Sequence, residues 1–464
     1  MKRLSRNALS ILLSDIGRRL IGFVAVAFLA RKVGTEGFGM INIGFTVLAY
    51  AILAGSGGLV SYGTREVARG KTDNLVNRII SLRLFLTIPI FGTVILLSWI
   101  VVRDPVMLKV ITVFCLSMFA YAVLLDWFFQ GREEMVVPGI GRGVSAILYL
   151  LCILLFVRTA DDIIWVAIGA LIGDSVSAVV MLISYKRKFG DMRLRFEPKE
   201  WKAIAKESFP LGIGNVMGSV TVNLAPLVIG IVLSNADAGI FSAAGKLVFF
   251  LLIFDRVFAQ LLLPAATRFH TDSMEVLSAK LSVAAKWVIL LALPVSLGGS
   301  LLAPKIIPLV FGSQYTEAII VFRVLIWYFF FTVLHTIFTS GLVAIGQEKL
   351  YSKVMMISAV IYLLSTVILT YTFGVVGTAC AMAGSEAITL ILMKLEFEKF
   401  VKLPLTRYVT GAVPSALIMG YILFVLPSLQ VFLAIGVGAV VYCAMLFLTK
   451  AITIKDTQEL LERI

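Results

Sequence analysis

At 464 residues, with 60% hydrophobic and only 15% charged residues, the chain departs from soluble globular composition, in which about a quarter of residues are charged. The balance excludes an ordinary soluble enzyme and predicts an all-α, polytopic membrane protein. The formal charge of +14 comes from basic residues that alternate with apolar runs; it reads as an orientation signal, and no nucleic-acid partner is expected.

At about 20 apolar residues per crossing, the pattern predicts spans near 8–30, 39–62, 79–102, 106–129, 136–158, 162–185, 208–233, 239–262, 283–303, 318–344, 351–373, 375–396, 405–426 and 429–449. The tight pairs around Gly374 and Pro427 leave turns of only a few residues. The opening MKRLSRNALS has the charge of a signal peptide, but the apolar run behind it lacks a small-residue cleavage site, so it is expected to remain as the first span.

Loops on the side of the N-terminus carry Arg65, Arg69, Lys71, Arg78, Arg132, the basic run from Lys186 to Lys206, Arg268, Lys280, Lys349, Lys353, Lys399, Lys402 and Arg407. The opposite loops carry little beyond Arg31, Lys32, Arg103, Lys109, Arg158 and Lys305. This asymmetry predicts a multi-pass protein of the cell membrane with both termini cytoplasmic.

The longest loop divides the chain nearly in half. The expected organisation is an N-lobe of six spans (1–185), a cytoplasmic linker with a short amphipathic helix (186–207), a C-lobe of six spans (208–400), two further spans (401–450) and a cytoplasmic tail (451–464). In the linker Pro198 suits a helix start, and Trp201, Ile204, Ala205 and Ser208 share one face. Asp456 and Glu459 are placed to cap a short helix in the tail. A shift of 200 residues lays Asp15 on Asn215, VGTEGFGMI on LSNADAGIF and Gly39 on Gly239, the pattern of a parallel repeat about an axis along the membrane normal.

Chemistry is expected where charge sits inside spans, because such residues face a bundle interior or an aqueous path. Asp15, Arg18, Arg19 and Gly22 lie at i, i+3, i+4 and i+7 and form one polar stripe. Asp15 reaches both arginines and leaves one positive charge uncompensated. Asn215, Ser219 and Asn223 make the corresponding stripe in the seventh span, suited to sugar hydroxyls or to neighbouring helices. Lys246, Asp255 and Arg256 lie in the eighth span, Arg256 beside an acid that can pair with it. Asp174 and Glu386 sit near the middle of their spans as candidates for ion coupling, with Asp15 as a third. Asp126, Arg142 and Arg323 lie near span ends, where a pair or snorkelling accounts for them, and His335 reads as a packed histidine. Cys115, Cys152, Cys380 and Cys443 stand singly within spans, without CxxC or Cys/His spacing, so neither a metal nor another cofactor is expected.

Three stretches, LARKVGTEGFGMINIGFTV, DWFFQGREEM and LSNADAGIFSAAGKL, resemble the polysaccharide transporter branch of the multidrug/oligosaccharidyl-lipid/polysaccharide (MOP) flippase superfamily, which includes the flippases of O-antigen and teichoic-acid export. The resemblance implies alternating access by two six-helix lobes, moving a polyprenyl-diphosphate-linked oligosaccharide from the cytoplasmic to the outer leaflet. It implies coupling to H+ or Na+ or to the membrane potential, and polysaccharide polymerases or glycosyltransferases as partners besides the bilayer. A diphosphate needs cations, and Arg18, Arg19, Lys246 and Arg256 come from the first two spans of each lobe; arginine's fork suits phosphate. A cation-coupled drug antiporter of the same superfamily is the alternative, disfavoured because Asn215 stands where a carboxylate would be needed. A membrane glycosyltransferase would need a sizeable outer loop carrying catalytic groups, and none is found.

Overall fold

The computed structural model describes residues 2–70, 74–404, 406–449 and 451–452, with backbone alone at 2–21, 213–222 and 406–407. Asp456 and Glu459 of the tail therefore lie outside the described residues. The chain is all-helical, and among the described residues there is no strand. Contacts divide it into two compact units, Met1–Ser242 and Ala243–Ile464.

In the first unit, α1 (Lys2–Ser56) is broken by Gly34, whose φ of 71° and ψ of −177° are open to glycine at little cost. The bend turns one long helix into two spans, at the place where the sequence predicts a turn between 30 and 39. α2 (Leu59–Ala68) is short and α3 (Leu75–Val101) long and lipid-compatible. α4 (Pro105–Val123) starts on Pro105 at its first turn, with the Asp104 carboxylate accepting from the Val106 N–H at 2.9 Å. α5 (Asp126–Gly131), α6 (Val136–Phe156), α7 (Ile164–Phe189) and α8 (Pro198–Val232) follow. α9 (Asn235–Asp272) begins in this unit and continues into the second.

The second unit contains the rest of α9, then α10 (Met274–Phe311), α11 (Ala318–Ala344), α12 (Glu348–Phe397), α13 (Thr406–Val425) and α14 (Val431–Leu448). A straight 50-residue α12 would run about 75 Å, more than twice the ~30 Å hydrocarbon thickness. Gly374, at φ 63° and ψ −147°, folds it into two spans. Among the described residues, eleven helices are long and apolar enough to cross a membrane, and α1 and α12 each bend at such a glycine.

Helix packing in lipid relies on small residues, since tails are as apolar as side chains. Gly39 of α1 and Gly239 of α9 show the tightest form of this. A Cβ on Gly39 would overlap the Asn235 carbonyl and come within 2.9 Å of the Gly239 nitrogen. A Cβ on Gly239 would overlap the Thr35 carbonyl and come within 3.0 Å of the Gly39 nitrogen. Thr35 and Asn235, like Gly39 and Gly239, are 200 positions apart, so the contact is reciprocal in the register of the sequence repeat.

The segment between α7 and α8 is extended and lies along the start of α3. Asn77 accepts from the Arg193 N–H at 3.0 Å and Ser81 from the Arg195 N–H at 2.9 Å. Arg78 pairs with Glu197 at 2.6 Å and with Glu200 at 3.2 Å, and the Arg78 hydrogen bond holds the Glu197 carboxyl below the ordinary carboxylate range. Of the face expected to be amphipathic, Trp201, Ile204 and Ser208 are buried and Ala205 is exposed. Trp201 and Ile204 join a core with Ile79, Ile80, Trp127 and Phe129. The helix that starts at Pro198 continues without a break into the following span.

Candidate functional site

Among the described residues, two polar clusters lie within the apolar helices, one in each unit. The first begins with a helix break. α4 ends at Val123 and α5 starts at Asp126, so the last carbonyls of α4 lose their intrahelical partners. Arg83 of α3, 5% exposed, supplies them: its guanidinium donates to the Leu124 carbonyl at 3.1 Å and to the Tyr121 carbonyl. The break turns Asp126 toward α6, where Arg142 Nη2 lies 3.0 Å from its Oδ1.

α6 and α7 approach closely because small residues face each other. A Cβ on Gly141 would lie 2.9 Å from the Ser177 hydroxyl, and one on Gly173 would lie 2.7 Å from the Ser145 hydroxyl. The charged residues next to those glycines, Arg142 and Asp174, line the same cavity of about 550 Å³. Asp126, Tyr121, Tyr149 and Ser145 line it too, and Asp174 interacts with Tyr121 and Ser117 of α4. The chamber holds two acids, one cation and two phenols. The sequence pattern suggested pairing for Asp126 and Arg142 near the span ends; the pair exists, and it forms part of the cavity wall with Asp174.

The second cluster joins α9, α11 and α12. His335 Nδ1 lies 2.6 Å from Glu386 Oε1, an ion-pair distance off the line of a hydrogen bond. The Thr336 hydroxyl is 2.8 Å from Asp255 Oδ1 and 3.0 Å from the Thr332 carbonyl, so one proton serves either acceptor. Glu386 is 7% exposed. It lies 12 residues beyond the Gly374 bend, roughly 18 Å along the helix, well inside a ~30 Å core. His335 is thus a partner to the coupling candidate Glu386, more than a packed histidine.

Among the other sequence candidates, Asn223 is half-buried in α8, Lys246 half-buried in α9, and Arg256 exposed one residue after Asp255, which turns to Thr336. Asp15, Arg18, Arg19 and Asn215 have described backbone in α1 and α8, but their side chains lie outside the described residues. Among the described residues, no group of three or more His, Cys, Asp or Glu has the arrangement of a metal site. Two residues escaped the sequence reading. Arg83 sits four residues inside its span, where a charge passes for snorkelling. Glu66 is 2% exposed and paired with Arg65 and Arg69, each at 3.0 Å; its neighbours in the sequence are those of a basic loop.

Arg83→Met removes the donor and keeps the bulk. The Tyr121 carbonyl keeps the Leu124 N–H at 3.3 Å, while a Leu124 carbonyl left unsatisfied costs about 1–3 kcal/mol, so the variant is expected to unfold at a lower temperature in detergent. An unchanged melting temperature would mean that the Leu124 carbonyl finds another donor.

Bent apolar spans with charge held inside them define the class: a polytopic membrane protein. The fold is that of MOP-superfamily transporters, with a TM-score of 0.72 to the inward closed conformation of the lipid II flippase MurJ. That match is 16% identical and covers 93% of this chain and 97% of that one. An inward-facing MATE multidrug transporter follows at 0.66 and 14% identity, covering 85% and 96%. The chain belongs to the polysaccharide biosynthesis protein family, whose model matches residues 4–270.

Among its relatives is a Haloferax volcanii protein named as a probable low-salt glycan biosynthesis flippase, Agl15. It is 27% identical over 48% of this chain, and the match spans half of that relative's length. A Shigella dysenteriae protein that provisionally bears the name O-antigen transporter is 20% identical over 84% of this chain and 99% of its own.

Proposed function

We propose that this protein is a flippase that moves a polyprenyl-diphosphate-linked oligosaccharide from the cytoplasmic to the outer leaflet by alternating access, in the assembly of a cell-surface polysaccharide. The observation that carries the reading is charge retained within the apolar spans of a chain from the polysaccharide biosynthesis family. An intramembrane arginine costs at least about 2.5–3.5 kcal/mol unless it faces a partner or water. Arg142 and Asp126 accept that position as a pair on a cavity wall.

The diphosphate is assigned to Arg18, Arg19, Lys246 and Arg256, and the sugars to Asn215 and Asn223, while the prenyl tail stays in lipid. Both termini are placed in the cytoplasm by the excess of basic residues in the loops of that side. Two six-span lobes, 1–185 and 208–400, carry the motion. The reciprocal Gly39–Gly239 crossing supports the repeat that relates them.

Energy enters through the buried carboxylates. Asp174, in the first cavity, and Glu386, against His335, are the coupling groups, with Asp15 as a third. At Glu386 a proton is favoured over sodium, because an imidazole nitrogen at 2.6 Å holds the place where a hard cation would want oxygen ligands. Polymerases and glycosyltransferases that make and use the glycan are the expected partners.

The double variant Arg18→Ala/Arg19→Ala, reconstituted in vesicles, is expected to insert normally and to lose movement of a polyprenyl-diphosphate glycan by more than about tenfold, a barrier change of 1.4 kcal/mol. Full activity would make the stripe structural.

A further inference from the structure

A second cavity in the first unit, about 870 Å³, has no part in the reading above. Its walls come from the second half of α1, the end of α3, the start of α4 and the end of α8. Val47, Ala54, Leu97, Ile111, Leu227 and Ile231 give the apolar character. The charged lining residues gather at one end, where three turns meet, while Tyr50 and Ser98 line the cavity within α1 and α3. Glu36 follows the α1 bend, Arg103 and Asp104 form the α3–α4 turn, and Ser234 and Asn235 form the α8–α9 turn.

The long dimension fits a lipid. From Val94 to Val102 the α3 wall alone runs roughly 12 Å, and the α1 wall from Glu36 to Ala54 roughly 27 Å. One leaflet's share of the hydrocarbon core is roughly 15 Å. Leu97 of α3, 55% exposed, and Ile231 of α8, 61% exposed, both line the slot, so it is open to whatever surrounds the helices. The mouth carries one cation and two acids, with Glu36 and Arg103 exposed and Asp104 half-buried. That charge set complements a headgroup holding a phosphate and a primary amine together: Arg103 for the phosphate, Glu36 and Asp104 for the ammonium. A purely anionic headgroup would meet two carboxylates and a single arginine.

We propose that this slot binds one membrane glycerophospholipid with a zwitterionic, amine-bearing headgroup, an acyl chain lying between α1, α3 and α8 and the headgroup at the Glu36–Arg103–Asp104 mouth. The occupant is a resident bilayer lipid, distinct from the transported glycolipid, and the assignment does not depend on the direction of transport.

Native mass spectrometry of the full chain tests it, with protein released from nanodiscs of equal phosphatidylethanolamine and phosphatidylglycerol. The wild type is expected to retain one phosphatidylethanolamine in preference to phosphatidylglycerol. Arg103→Ala and the cavity-filling Ala54→Trp are expected to lower that retention by about fivefold or more. Trp99→Ala, on the same helix but outside the lining, is expected to leave it unchanged. Glu36→Gln, a smaller change at the exposed rim, is expected to erase the preference while the protein stays monodisperse. Equal retention in all variants, no retained lipid, a preference for phosphatidylglycerol, or retention of an isoprenoid carrier in place of phospholipid would each overturn the proposal.

Discussion

Glu386→Gln is expected to abolish the dependence of transport on an imposed proton gradient and to slow net transport by about tenfold or more. The carboxylate sits 2.6 Å from His335 and is 7% exposed, so its charge is tied to one partner and shielded from water. Glutamine keeps the shape and cannot take up or release a proton. His335→Gln should have the same phenotype, and the double variant should be no worse than either single one, because the two groups act as a unit. Glu386→Ala separates function from fold. It leaves a buried imidazole without its counter-charge, a loss of about 3–5 kcal/mol when that imidazole is protonated, and should lower the melting temperature where glutamine does so less. The check is flux at several gradients in proteoliposomes, alongside thermal unfolding in detergent. Retained gradient dependence in Glu386→Gln would assign coupling elsewhere, with Asp174 the next residue to replace.

Gly39→Val is expected to have the second large effect, by a different route. The Cβ that valine brings has no room against the Asn235 carbonyl, and backbone cannot swing aside as a side chain does. α1 and α9 must separate at their crossing, at a cost typical of overpacking, about 1–3 kcal/mol. Spin labels at Glu36 and Ser234, both exposed near the crossing, should report a distance several ångströms longer than in the wild type. Gly239→Val should reproduce the shift, since its Cβ meets the Thr35 carbonyl in the mirror arrangement. Gly92→Val, with open space around its Cβ, is the control. If the crossing must close during each transport cycle, both crossing variants lose transport; unchanged distances would show that the helices have slack.

The spans were legible in the sequence because lipid imposes length and apolarity on each helix separately, so no knowledge of neighbours is needed. Even the turn at Gly374 was visible, since two adjacent apolar runs too long for one crossing need a break, and a glycine stands there. The glycine register was legible for a related reason: Gly39 and Gly239 carry the same local motif 200 positions apart. That they touch each other was not legible, because it depends on the crossing of two helices. The polar clusters show the same limit. Glu386 stood out as a charge in mid-span, yet its partner His335 lies 51 positions away on another helix, and no local spacing announces the pair. Arg83 was missed because what makes it important is the α4–α5 break, which consumes its guanidinium through two backbone carbonyls.

The measurement that bears most directly on the central claim is transport of a short-chain polyprenyl-diphosphate oligosaccharide in proteoliposomes, reading protein-dependent movement of the headgroup between leaflets, with cationic dye efflux measured in the same vesicles. A flippase moves the glycolipid headgroup and leaves the dye where it is. Dye efflux without glycolipid movement would contradict that assignment and place the protein with the drug antiporters, Asp15, Asp174 and Glu386 then being its cation carriers.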